Sequence, residues 1–190
     1  MEIYALDYET YYDKRCSIKT LGPLGYFSHP DFDAYLLTVK GTDGTEFVGH
    51  PKKFNWNLLI GNTALSHNAS FDETLYLYGA AQSWWPEVQP AEWHCTADLA
   101  AYVRLPRSLK GASHAAFGLE IDKTTRDNMS GKRWESMTDE FREEVSAYAI
   151  KDAELCLRLW EEFGDRWPEE ERAISTLNRR ICQGGIPIDT

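Results

Sequence analysis

At 190 residues with a formal net charge of −10, the chain has the size of one compact domain and is too acidic for a generic nucleic-acid-coating protein. Its 43% hydrophobic and 26% charged residues are ordinary for a globular protein, while seven Trp and ten Tyr make the core or a binding surface aromatic-rich. No apolar run approaches the roughly 18 residues that span a membrane, which argues against a membrane association.

In chain order, Ile3, Ala5 and Leu6 lead into Asp7-Tyr8-Glu9-Thr10, a short buried strand. Strand side chains alternate faces, so Asp7 and Glu9 stand side by side at the strand end. Two like charges about 5 Å apart repel by roughly 1 kcal/mol in water and several-fold more in an interior, so something must neutralise them. A second D-x-E, Asp152 and Glu154, falls in a helical stretch where the side chains splay; only the strand context makes the first pair unusual. Residues 16–30, with Gly22, Pro23, Gly25 and Pro30, read as a loop. Residues 34–41 and 45–49 read as a hairpin, 54–62 as a helix ending at Gly61, and 63–68 as a second buried strand.

Ser70, with Glu73 three residues on, marks a capped helix over 70–81. A Pro-broken connector over 84–90 follows, its Trp84-Trp85 pair assigned to packing. Helices are expected over 94–105 and 109–120, then a loop, then a long amphipathic helix over 138–163. A last helix over 168–183 opens with Pro168 and acids. The order implies an α/β domain around a mixed sheet. The termini and cysteines agree with a reduced, cytoplasmic protein: no leader precedes the first strand, and Cys16, Cys95, Cys156 and Cys182 form no C-x-x-C pair.

Two more acids sit in odd places. Phe141, Val145, Tyr148, Asp152, Leu155, Leu159 and Phe163 share one helix face, so a carboxylate occupies an apolar stripe. Asp152 needs a cation, a proton or a partner, a buried Arg being the structural alternative. Tyr148, one turn earlier, places its hydroxyl within reach of whatever Asp152 binds. Asp72 falls at a strand-to-helix junction, where acids favour the helix dipole but where ligands of α/β sheets also bind. Asn68, just before it, is an amide able to contact a substrate, and His67 reads as a hydrogen-bonded strand-end residue. The segment 103–133 carries seven Lys or Arg against three acids, a basic stretch suited to gripping phosphates on one side of an acidic body.

D-x-E on a first strand, N-x-x-F-D at a strand-helix junction and Y-x-x-x-D on a late helix resemble the three motifs of the DEDD superfamily of 3′–5′ exonucleases. They stand here as Asp7-Tyr8-Glu9, Asn68-Ala69-Ser70-Phe71-Asp72 and Tyr148-Ala149-Ile150-Lys151-Asp152. Ala147 occupies the position of the histidine in the other branch, so the tyrosine branch is the match. The nearest resemblance is to the proofreading domain of phage-type family A DNA polymerases, whose next region opens with a strand like the terminal Gly185-Ile186-Pro187-Ile188-Asp189.

The resemblance implies a ribonuclease H-like fold, with a mixed five-stranded sheet flanked by helices. It divides the chain into an exonuclease domain over 1–166 and a C-terminal helix and linker over 167–190 leading to a polymerase domain of a longer chain. It implies two divalent cations, Mg²⁺ with Mn²⁺ as a substitute, held by Asp7, Glu9, Asp72 and Asp152. Asp7 would bridge the ions, Glu9 and Asp152 would hold the one that activates water, and Asp72 would hold the other through water. Tyr148 would orient the attacking water, while Thr10 and Asn68 would seat the terminal nucleotide of a single-stranded or frayed DNA 3′ end. The motifs do not choose the sugar, so an RNA-trimming exonuclease is the alternative. An inactive exonuclease-like module is a third reading, disfavoured because all four acids are present.

Overall fold

The computed structural model describes residues 1–120 and 124–184. Its centre is a mixed five-stranded sheet: β1 (Ile3–Thr10), β2 (Ala34–Gly41), β3 (Glu46–Gly49), β4 (Thr63–Ser66) and β5 (Glu92–Cys95), in the order β3-β2-β1-β4-β5. β1 and β2 pair antiparallel, as do β2 and β3, while β4 and β5 run parallel to β1. Helices α1 (Ile18–Phe27), α2 (Ala69–Ala81), α3 (Thr96–Tyr102), α4 (Leu109–Phe117), α5 (Thr124–Met129), α6 (Asp139–Phe163) and α7 (Glu169–Gly184) surround it. The α/β class and the mixed sheet are as expected.

Alternation along β1 sorts the two faces. Ala5 clusters with Leu65 and with Cys156 of α6, so the odd-numbered positions of β1 face that helix. Asp7 and Glu9 continue the same face toward the strand end. Tyr8, of opposite parity, joins an aromatic cluster: its ring lies 5.8 Å from Trp85, which lies 5.5 Å from Trp56, which lies 5.1 Å from Tyr76. The indole nitrogens of this cluster are satisfied, Trp85 Nε1 donating to the Tyr76 carbonyl (2.9 Å) and Trp56 Nε1 to that of Pro51 (3.0 Å). Trp85 thus belongs to the packing assigned to it.

Helix α6 begins where the sequence places it. Thr138 caps it, accepting from the Phe141 N–H at 3.2 Å, with Asp139 and Glu140 in the first turn. It packs across β2, β1 and β4. Its buried residues are Val145, Ala149, Ala153, Leu155, Cys156 and Leu159, and the two alanines let the backbone approach closely enough for Thr38 Oγ1 to donate to the Ala149 carbonyl at 3.0 Å. The expected stripe is buried at Val145, Leu155 and Leu159, while Tyr148 and Asp152 within it are half-buried.

Five local expectations need correction. The loop expected before the long helix holds α5. Residues 16–30 hold α1, a helix broken at Gly22 (φ 68°) before Pro23, and burial of Tyr26 and Phe27 against Phe32 and Phe71 stabilises it. The 54–62 helix is a single 3₁₀ turn, Trp56–Leu59. The helix expected from His94 begins only at Thr96, because Glu92–Cys95 pairs with β4 as the fifth strand. Helix α2 starts at Ala69 after Asn68, whose φ of 80° is left-handed; Ser70 is not the cap, and Glu73 pairs with Arg179 rather than closing a capping box. The terminal strand-like segment lies outside the described residues.

Gly79 sits inside α2 because a Cβ there would meet the Trp85 ring at 2.0 Å. Helix propensity favours Gly79→Ala by about 1 kcal/mol, but overpacking a core costs typically 1–3 kcal/mol or more. The clash wins, so Gly79→Ala is expected to lower the melting temperature. An unchanged or raised melt would contradict the packing of Trp85 against α2.

Candidate active site

The β1–β4 ladder runs from Ile3–Thr63 to Ala5–Leu65 and ends there. Beyond it the two strands part, and the Tyr8 N–H donates to Asp72 Oδ1 at 3.4 Å instead of to a strand. On the other side, a register shift between Glu9 and Thr10 bends the end of β1 against β2. The opening is a cleft of about 480 Å³ at the carboxyl ends of the parallel strands, where α/β sheets bind ligands.

Every sequence-predicted site residue lines this cleft: Asp7, Glu9 and Thr10 from β1, Asn68 and Asp72 from the start of α2, and Tyr148 and Asp152 from α6. Parity on β1 and one-turn spacing on α6 aim them at one another. Asp7 is pushed well above the usual carboxylate range, first by burial and then by Glu9, Asp152 and Asp72. Burial and the charge of Asp152 raise Glu9, and burial raises Asp72 against the Tyr8 N–H. Tyr148 is raised by burial and by Asp152, with which its hydroxyl shares a hydrogen bond.

The donors are all hard oxygens, the set that suits magnesium or manganese, and buried carboxylates that repel one another are relieved by cations. Among the described residues, no three His, Cys, Asp or Glu side chains are already gathered to hold an ion. Mutual repulsion spreads bare carboxylates, and a divalent cation would have to draw them together. In their chemistry and common cleft, the four acids fit such ions.

The basic stretch divides. Arg107, Lys110 and Arg126 line the cleft, with Lys19 of α1. Arg133 instead pairs with Asp31 at 2.7 Å, and Lys132 lies over the Phe141 ring; Lys123 lies outside the described residues. Arg126 is the internal counter-charge, its guanidinium lowering the pKa values of both Asp7 and Glu9. Tyr12 tethers it: its hydroxyl donates to the Arg126 carbonyl at 2.7 Å, and its own carbonyl accepts from Gly131 N–H at 2.8 Å. Sequence reasoning named Phe71 only as a motif letter, and singled out neither Tyr12, a second aromatic ring in the cleft, nor the Ser17–Lys19 wall. Composition of the 103–133 segment was the one available signal for the cations.

His67 is held at both ring nitrogens, Nδ1 to Thr96 Oγ1 at 3.0 Å and Nε2 to the Arg107 carbonyl at 2.8 Å, as expected of a strand-end histidine. Burial lowers its pKa to about 4. The fold thus prefers the neutral ring, and the unfolded chain takes up the proton first as pH falls below about 6.5. Stability from His67 is present above that pH and lost between pH 6.5 and 4. The wild type is expected to lose more stability across that window than His67→Gln, as read by denaturant melts at both ends; parallel losses would contradict it.

No protein-family model and no curated protein matches the chain. Solved structures do. Brucella melitensis NrnC with bound Mg²⁺ matches with a TM-score of 0.57 at 19% identity, over 96% of this chain and 80% of that one. Escherichia coli RNase D, an exoribonuclease involved in structured RNA processing, matches with a TM-score of 0.60 at 17% identity, over 97% of this chain and 46% of that one. A family B DNA polymerase from Pyrobaculum calidifontis matches with a TM-score of 0.59 at 15% identity, over 85% of this chain and 24% of that one. The fold of the chain is ribonuclease H-like, as in these structures: a mixed five-stranded sheet flanked by helices.

Proposed function

We propose that the chain is a metal-dependent 3′–5′ exonuclease, and that RNA is its substrate in preference to a mispaired DNA end. The observation that carries the reading is the convergence of Asp7, Glu9, Asp72 and Asp152, from three elements, with Tyr148 in one cleft that also holds Arg107, Lys110 and Arg126. The four acids would hold divalent cations, which when bound supply Lewis acidity toward a phosphodiester and lower the pKa of water. Tyr148, hydrogen-bonded with Asp152, orients the attacking water through its hydroxyl. Arg107, Lys110 and Arg126, with Lys19, attract the phosphates. Tyr12 and Phe71 offer ring faces to a splayed terminal base, with Thr10 and Asn68 beside them.

Likeness to an exoribonuclease over 97% of the chain, against 85% for the polymerase, supports RNA over the proofreading role. The polymerase likeness keeps DNA editing, with a polymerase region beyond residue 166, as the second reading.

The test is degradation of 5′-labelled single-stranded RNA and DNA of one sequence, and of DNA duplexes with matched or mismatched 3′ ends. Stepwise shortening from the 3′ end is expected with Mg²⁺ or Mn²⁺, fastest on RNA. Undiminished cleavage in excess chelator would sink the metal-dependent mechanism. Faster removal of mismatched DNA ends than of RNA would put proofreading first.

A further inference from the structure

Arg107 is 60% exposed, and a lone surface Arg–Asp pair does little to fix so flexible a side chain. Its surroundings are not those of a lone pair. The guanidinium donates to Asp98 Oδ1 at 2.6 Å, and the other oxygen of Asp98 accepts from the Ser175 hydroxyl of α7 at 2.5 Å. Ser175 in turn accepts from Arg179 Nη1 at 2.9 Å. Arg179 donates through Nε to Glu73 at 2.9 Å and through Nη2 to the Trp93 carbonyl. Ser175 and Arg179 are 6% and 4% exposed, so the far end of this chain of bonds is set in the core. His67 pins the Arg107 backbone at the same time.

We propose that Ser175 and Asp98 are positioning residues, through which α7 holds the Arg107 guanidinium at the cleft to grip a backbone phosphate of a bound single strand. With both its carboxylate oxygens engaged, Asp98 cannot swing with Arg107, and a cation held in place binds phosphate without first losing its rotamer freedom. A guanidinium has five N–H donors, so the bond to Asp98 leaves others for phosphate oxygens. The relay begins at Glu73, next to the cleft acid Asp72, so one buried arginine braces both walls of the site. The inference rests on the nuclease reading and names a determinant of its substrate grip.

The test compares wild type, Ser175→Ala, Ser175→Thr, Arg107→Ala and the Ser175→Ala/Arg107→Ala pair. Binding of fluorescent single-stranded RNA and DNA is read by anisotropy in chelator over a salt series, and kcat and KM are read with Mg²⁺. Ser175→Ala is expected to raise Kd and KM about 3- to 10-fold, with kcat within about twofold and a shallower salt dependence, as for a weakened phosphate contact. Ser175→Thr, which keeps the hydroxyl, should restore binding, and the pair should lose no more than Arg107→Ala alone. Should Ser175→Ala not fold, as judged by its melt, Asp98→Asn carries the same expectation. Wild-type binding matched by Ser175→Ala at every salt concentration, or additive losses in the pair, would overturn the relay alone. Wild type that neither binds nor shortens RNA or DNA would overturn the nuclease reading and the relay with it.

Discussion

Asp7→Asn is expected to remove nuclease activity by several orders of magnitude and, in chelator, to raise the melting temperature. Asp7 is the acid on which the other three press, since Glu9, Asp152 and Asp72 all push its pKa up after burial does, with Arg126 opposing them. An ionised carboxylate whose folded pKa is raised costs stability at neutral pH, and the isosteric amide removes that cost while keeping the shape. In the proposed mechanism the same change deletes a cation ligand, so water activation and phosphate polarisation would both fail. Tyr148→Phe marks the scale: it keeps the ring and removes only the hydroxyl proposed to orient water, expected to cost about 10- to 1,000-fold in rate. Single-turnover cleavage beside a melt in chelator reads both effects. Retained activity with a lowered melt would make Asp7 a structural acid and sink the site.

Arg179→Met is expected to cause the largest loss of stability. Arg179 is 4% exposed and bonds Glu73, Ser175 and the Trp93 carbonyl, tying α7 to α2 and β5. Removing one partner of a buried ion pair typically costs about 3–5 kcal/mol, because the other charge is left uncompensated. Here that charge is Glu73 of α2, whose side chain is only 16% exposed. For a chain of this size each kcal/mol moves the midpoint by roughly 2–4 °C, which places the loss on the order of 10 °C. Glu73→Leu in the same chain should recover much of it, since an apolar pair can replace a buried ion pair at little cost. A single variant that melts with the wild type would show that the contact does not hold α7.

Much of the site was legible because it obeys local periodicities. Parity on a strand puts Asp7 and Glu9 on one face, and one helical turn puts Tyr148 above Asp152, whatever the rest of the chain does. The hairpin and the long helix were legible for the same reason, and β4 as a short apolar run between turn residues. Their convergence with Asp72 was reached only by resemblance, since nothing local relates positions 7, 72 and 152.

What the chain determined by itself is thus its α/β class, the strand that opens it, the capped 25-residue helix and four acids in unusual settings. Tertiary structure alone decided the rest. The four-residue β5 exists because β4 offers it a parallel edge, and α1 survives Gly22 and Pro23 because Tyr26 and Phe27 find aromatic partners. Glu73 turns from a capping box to Arg179 because a core cation some hundred positions away outweighs a local backbone bond. Of the basic stretch, geometry sends Arg107, Lys110 and Arg126 into the cleft and Arg133 to Asp31. Such choices depend on which surfaces meet, and free energies of long-range contact carry no period along the chain.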